Sequence, residues 1–277
     1  MYTTLIDTRR LSQQLDDPDW VIVDCRFDLM NPEVGEDAYL DSHIPKAVFA
    51  HLDHDLSEPP VAGRGRHPMP TSEALRDLFS RLGIERGKQV VTYDGVCGAF
   101  AARLWWMLRY MGHHGVAVLD GGWQAWRAAG LPTQRGRETN TPANFNGTAQ
   151  TTWLVSIDEV PEVPLLIDSR ESARYKGDYE PLDRVAGHIP GASNYFWKNN
   201  LAEDGRFLSP EKLRQSLKKL TRGAPISDAV FYCGSGVTAC HNLLAVVHAG
   251  LPDARLYAGS WSEWSSDPGR GVATGTD

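Results

Sequence analysis

Short apolar runs bounded by turn residues alternate along this chain with stretches in which apolar residues recur every three to four positions. The runs 21–24, 90–93 and 116–119 are apolar at nearly every position, the pattern of strands buried on both faces of a parallel sheet. Between them, 72–82 and 99–111 carry helical periodicity. Ser209, Pro210 and Glu211 supply an N-cap, a proline at the first helical position and an acid in the first turn of a helix expected to end near Leu220. Residues 239–249 read as another helix. This alternation predicts α/β architecture, each unit a small, mostly parallel sheet with helices on both faces.

The pattern occurs twice. Val21-Ile22-Val23-Asp24-Cys25-Arg26 returns as Leu165-Leu166-Ile167-Asp168-Ser169-Arg170, and His43-Ile44-Pro45 as His188-Ile189-Pro190. Val90-Val91-Thr92-Tyr93-Asp94-Gly95 returns as Ala229-Val230-Phe231-Tyr232-Cys233-Gly234, and Gly122-Trp123-Gln124-Ala125-Trp126 as Ser260-Trp261-Ser262-Glu263-Trp264. The four pairs keep their order and a nearly constant separation, so the repeat is a domain and not a solenoid unit. Residues 133–152, rich in Thr, Asn, Gly, Arg and Pro without apolar periodicity, predict a surface linker. The expected division is a first domain over 1–135, a linker over 136–152 and a second domain over 153–277.

Composition narrows the function classes. With 277 residues, 42% apolar and 23% charged, the chain is a folded globular protein with room for two cores. A net charge of −7 without a local basic patch excludes a nucleic-acid partner. No basic, then apolar leader opens the chain, and the most apolar segment, 104–111, is broken by Arg109, so neither signal peptide nor membrane span is expected. Four cysteines without a C-x-x-C pair or a histidine at ligand spacing fit a reducing compartment, with the cytoplasm as the expected location and no metal site. No phosphate-binding glycine fingerprint or ligand cluster is present, so no cofactor is expected.

The two copies differ chemically at one place, where the strand 229–232 runs into Cys233 and its counterpart into Asp94. Gly234-Ser235-Gly236-Val237-Thr238 and then a helix follow. A cysteine at the carboxyl end of a parallel strand, ahead of a glycine-rich turn and a helix start, lies where open α/β sheets place ligands. Loop and helix N–H groups would lower its pKa and populate the thiolate. Most free cysteines are small packing residues, and Cys25, Cys97 and Cys240 are expected to be that. For Cys233 the loop position and flanking glycines favour a nucleophile.

The two Asp-x-Arg strand ends, the two His-Ile-Pro motifs, the loop Cys233 to Thr238 and Trp261-Ser262-Glu263-Trp264 resemble those of tandem-domain rhodanese-type sulfurtransferases, over essentially the whole chain. The resemblance implies two rhodanese-like domains, the first a catalytically inactive scaffold and the second bearing the nucleophile. Within the family the loop is similar to that of mercaptopyruvate sulfurtransferases, whereas thiosulfate-preferring members carry two cations where Gly234 and Ser235 stand. The implied reaction moves a sulfane sulfur from 3-mercaptopyruvate through a Cys233 persulfide to a thiol, such as thioredoxin, or to cyanide, releasing pyruvate. Arg174 matches the family's substrate-binding arginine, whose fork suits a carboxylate. Arg184 is the candidate for a second, while Arg170 is expected to be a structural ion-pair partner. Gly234, Gly236, Val237 and Thr238 complete the expected substrate loop. Ser235 matches a serine that works with a first-domain histidine and an acid in proton transfer; His43 is the candidate histidine, and Asp37 and Asp41 both stand as the acid. His188 is expected to be structural.

Three rival readings are open to test. A thiosulfate:cyanide sulfurtransferase would use the same nucleophile with another donor. A cysteine phosphatase requires Cys-x5-Arg to grip phosphoryl oxygens, and the sixth residue after Cys233 is Ala239, which excludes it. A non-enzymatic persulfide carrier would not turn over a small donor repeatedly.

Overall fold

The computed structural model describes residues 1–276, and the chain divides into two compact units. Unit 1 comprises 1–58, 70–150 and 204–206, and unit 2 comprises 59–69, 151–203 and the chain from 207 onward.

Unit 1 runs β1 (Leu5–Ile6), α1 (Thr8–Ser12), β2 (Trp20–Asp24), α2 (Val34–Asp41), β3 (Val48–Phe49), α3 (Ser72–Arg81), β4 (Gln89–Tyr93), α4 (Ala101–Tyr110), β5 (Val116–Leu119) and α5 (Gly122–Ala128). Its strands are all parallel, in the order β1-β5-β4-β2-β3. β4 and β5 are buried at every residue, which is why neither alternates polar with apolar positions; the buried polar side chains of β4, Gln89 and Thr92, are hydrogen-bonded. The Thr71 hydroxyl caps α3 by accepting from the Ala74 N–H (3.2 Å), and the helix buries Leu75, Leu78 and Phe79. α4 is buried throughout.

The stretch expected as a linker is fastened to unit 1 through residue 150. Asn140 donates to the Leu82 carbonyl (2.9 Å), and the N–H groups of Ala143 and Gln150 donate to the carbonyls of Ser80 and Tyr110 (2.8 Å each). Phe145 is buried edge-on against Phe79, ring centroids 4.9 Å apart. Irregular backbone can be anchored in this way without any periodicity in its sequence, provided its polar groups find partners.

Unit 2 runs β6 (Leu165–Asp168), α6 (Ser172–Lys176), β7 (Ser193–Asn194), α7 (Pro210–Leu220), β8 (Ala229–Tyr232), α8 (Ala239–His248), β9 (Arg255–Leu256) and α9 (Ser260–Trp264). The strands are again parallel, in the order β7-β6-β8-β9. The Ser209 hydroxyl caps α7 as its sequence predicts, accepting from the Lys212 N–H (3.4 Å).

The repeated motifs do the same work in each unit. Asp24 binds Arg26, which also donates to the Ser42 carbonyl (2.7 Å) and lies 4.6 Å above the Trp123 ring. Asp168 binds Arg170, which donates to the Gly187 carbonyl (2.7 Å) and lies 4.8 Å above Trp261. Each buried charge is therefore paired, as the desolvation penalty requires. His43 stacks on Tyr39, its Nδ1 at 2.8 Å from that residue's carbonyl, and His188 does the same with Tyr175 at 2.7 Å.

Candidate active site

Cys233 follows β8, and the loop it opens ends where α8 begins. The residue is 2% exposed. Burial pushes the thiol up, but the Thr238 hydroxyl and the backbone N–H groups of Ser235, Ala239 and Val237 donate to the sulfur, and together they hold it below its ordinary value. Cys25 gives the contrast: burial, followed by the charges of Asp24 and Asp94, pushes its thiol far up and leaves it a packing residue.

Unit 1 contains the same cradle with another occupant. The Asp94 carboxylate accepts from the N–H groups of Val96 (2.7 Å), Gly98 (2.9 Å), Phe100 (2.8 Å) and Ala101 (2.8 Å). The first three follow Asp94 at the intervals at which Ser235, Val237 and Ala239 follow Cys233. The left-handed residue is also repeated: Cys97 has φ 55° where Gly236 has φ 74°. This loop conformation is an anion nest, filled by a carboxylate in unit 1 and by the thiol sulfur in unit 2. A side chain at 236 would strike the Ala258 carbonyl oxygen, 2.3 Å from an ideal Cβ.

The turn into α9 holds the loop from behind. The N–H groups of Trp261 and Ser262 donate to the carbonyls of Cys233 (3.0 Å) and Gly234 (2.9 Å), and the Cys233 N–H donates to Ser260 Oγ (3.1 Å).

Two guanidiniums converge on Gly234. An ideal Cβ there would lie 2.9 Å from Arg66 Nη2 and 3.5 Å from Arg174 Nη2, so the missing side chain leaves the space they occupy. Arg174 projects from α6, while Arg66 belongs to 59–69 and is positioned by its own N–H, which donates to Ser262 Oγ (3.1 Å). Both are paired with acids: Arg174 with Glu180 (2.7 Å) and Asp183 (3.4 Å), Arg66 with Asp183. Next to Arg66 in the chain, His67 places Nδ1 at 2.7 Å from Ser235 Oγ, and both residues are buried.

The rhodanese-like domain family matches residues 7–129 and 151–267. The chain belongs to the rhodanese family. Among its relatives, the "Probable 3-mercaptopyruvate sulfurtransferase" of Pseudomonas aeruginosa is 47% identical over 279 residues, 98% of either chain. The "Putative thiosulfate sulfurtransferase SseB" of Mycobacterium tuberculosis is 41% identical over 263 residues, 92% of this chain and 91% of that one. The structure of 3-mercaptopyruvate sulfurtransferase from Leishmania major superposes with a TM-score of 0.84 at 34% identity, covering 95% of this chain and 74% of that one.

Within this rhodanese architecture the structure brings together Cys233, Ser235, Arg174 and the loop residues Gly234, Gly236, Val237 and Thr238. It corrects two other expectations. The histidine bonded to Ser235 is His67, not His43, whose Nδ1 is taken by the Tyr39 carbonyl in the core of unit 1. The acids proposed for His43 are exposed, and Asp41 pairs with Arg135 (2.6 Å). The second guanidinium at the loop is that of Arg66, while Arg184 is exposed and its neighbour Asp183 faces the site. Gly65-Arg66 recurs as Gly205-Arg206 in the second copy, but His67 stands opposite Phe207, so the repeat does not reveal the histidine. A signal was present: a long, aperiodic loop carrying Gly63-Arg64-Gly65-Arg66-His67-Pro68, and long ordered loops are where function concentrates.

One group of metal-ligand residue types lies together among the described residues: Glu33, His51 and His54, with candidate ligand atoms within 4.8 Å of one another. His51 Nδ1 already accepts the Asp53 N–H (3.1 Å), and its ring stacks at 21° on that of His54, so the two imidazoles do not aim their lone pairs at one point.

Proposed function

We propose that this rhodanese transfers sulfane sulfur from 3-mercaptopyruvate, through a persulfide on Cys233, to a thiol or cyanide acceptor. The observation that carries the reading is the convergence on one loop of a thiol held below its ordinary pKa, two guanidiniums and the Ser235–His67 hydrogen bond.

In the first half-reaction the Cys233 thiolate attacks the donor sulfur. The S–S bond forms as the C–S bond breaks, and the electron pair passes to carbon as the enolate of pyruvate. Arg174 and Arg66 receive the donor carboxylate, for which the planar fork is suited. Ser235 donates a proton toward the enolate and is reprotonated through His67 by the proton that the donor thiol gives up, so that the outer sulfur is left anionic. Pyruvate leaves, and the N–H groups of the nest hold the anionic terminal sulfur of the persulfide. An acceptor nucleophile then takes that sulfur and returns the Cys233 thiolate. Cys233 is only 2% exposed, which favours a small-molecule donor; a thiol, such as that of a thioredoxin, is the proposed acceptor.

The second reading, thiosulfate as donor, is favoured by the name of the 41% identical relative and by the ability of paired arginines to bind a sulfonate. Steady-state kinetics with both donors on one preparation decides. The expected result is a kcat/KM at least about ten-fold higher for mercaptopyruvate, equivalent to about 1.4 kcal/mol of transition-state binding. Faster turnover of thiosulfate would install the second reading, and single turnover with either donor would indicate a carrier. Among the described residues no helix is long and apolar enough to cross a membrane. None of the four cysteines forms a disulfide, which supports a reducing compartment such as the cytoplasm.

A further inference from the structure

Asp183 is an unusual neighbour for an anion site. Its carboxylate meets the guanidiniums of Arg66 and Arg174, the two that flank Gly234, and its side chain is only 5% exposed. Burial raises its pKa despite those cations, so pairing does not fully offset the loss of water. Nor does the segment between α6 and β7 depend on this side chain. Glu180 accepts the N–H groups of Leu182 (3.0 Å) and Asp183 (3.2 Å) and two hydrogen bonds from Arg174, and Trp261 Nε1 donates to the Val185 carbonyl (2.9 Å). The cluster, whose carboxylates are buried while Arg66 keeps 28% of its side chain exposed, thus sets the guanidiniums of Arg66, Arg170 and Arg174 against the carboxylates of Asp168, Glu180 and Asp183, one negative charge for each positive one.

We propose that Asp183 is a donor-selectivity residue: its carboxylate occupies and neutralises the Arg66–Arg174 pair, so that the pair accepts a singly charged donor and discriminates against a dianion. The inference rests on the sulfur-transfer reading above. A donor carboxylate shares the guanidinium N–H groups with Asp183 and adds one negative charge to the neutral cluster. Thiosulfate brings two negative charges to a cluster that is already neutral, in a setting where little water screens the excess.

The test is Asp183→Asn, which keeps the shape and leaves a carbonyl oxygen for the guanidiniums. Asp183→Ser is the second variant, and Asp183→Glu the charge-restoring control. The ratio of kcat/KM for thiosulfate to that for mercaptopyruvate is expected to rise about ten-fold or more in the two neutral variants and to return toward wild type with Glu. Calorimetry on protein without donor should show sulfate tightening more than pyruvate in Asp183→Asn. An unchanged ratio, or a parallel fall for both donors, overturns the proposal, since either means that Asp183 only holds the arginines in place. If the wild type turns over neither donor, the sulfur-transfer reading fails, while the sulfate-to-pyruvate binding ratio still decides the charge selectivity of the site.

Discussion

Replacing Thr238 with valine tests whether the nest makes Cys233 a thiolate. Valine keeps the branched shape at a half-buried position and deletes only the hydroxyl that donates to the sulfur, leaving the N–H groups of Ser235, Val237 and Ala239 in place. A hydrogen bond to a charged group is worth about 1.5–3 kcal/mol, and 1.36 kcal/mol is one decade of ionisation, so below the thiol pKa the thiolate fraction should fall about 10- to 100-fold. The sign follows from linkage. A thiol lowered by folding gives the native state extra stability above the unfolded pKa, and that stability is lost as pH falls through the folded value. The variant narrows that window from the acid side. Iodoacetamide alkylation of Cys233, followed by intact mass from acid to alkaline pH, should show the reactive limb moved to higher pH. At alkaline pH the variant should react at least as fast, because a more basic thiolate is the better nucleophile. A pH profile identical to wild type, or one depressed equally at every pH, would refute the argument and assign Thr238 a purely geometric part.

Two further outcomes follow from the site. Donor without acceptor should raise the intact mass by one sulfur, located on Cys233 and abolished by Cys233→Ser; sulfur found instead on Cys97 or Cys25 would remove the nucleophile assignment. His67→Gln should slow mercaptopyruvate turnover by about 10²–10⁴-fold while Cys233 alkylation persists, whereas His43→Gln should lower stability by about 1–3 kcal/mol with turnover little changed. The reverse pattern would return the proton-transfer role to His43.

What the sequence showed and what it hid have separate physical causes. Parallel strands buried on both faces are mostly apolar, so β2, β4 and β5 are visible as runs, and a duplicated fold repeats its Asp-x-Arg corners because each buried charge needs its partner. Cys233 was legible because strand, glycine turn and helix are contiguous in the chain. The residues that complete the site are not contiguous with it. Arg66 and His67 come from a loop more than 160 residues away in sequence, and their hydrogen bonds to Asp183 and Ser235 leave no periodic trace. His43 misled because its His-Ile-Pro motif marks a structural corner that both units share, where the imidazole caps a carbonyl and stacks on tyrosine.

The same separation changes the meaning of the neutral loop. In sequence, Gly234 and Ser235 in place of two cations suggest a site of low positive charge, and converting them to Arg and Lys suggests itself as the way to recruit thiosulfate. In the structure Gly234 is neutral because it leaves room for cations that arrive from elsewhere: any Cβ at 234 must displace Arg66, 2.9 Å away. Lysine at 235 would also remove the hydroxyl bonded to His67. The double substitution therefore shifts the Arg66 guanidinium and adds two charges while dismantling proton transfer, and a loss of activity after it would say nothing about donor charge. Removing one buried carboxylate at Asp183 changes the same balance by one unit and leaves the loop, the nest and the Ser235–His67 bond in place. Donor selectivity here belongs to the balance between Arg66, Arg174 and their acids, and not to the loop residues by which the sequence first advertises it.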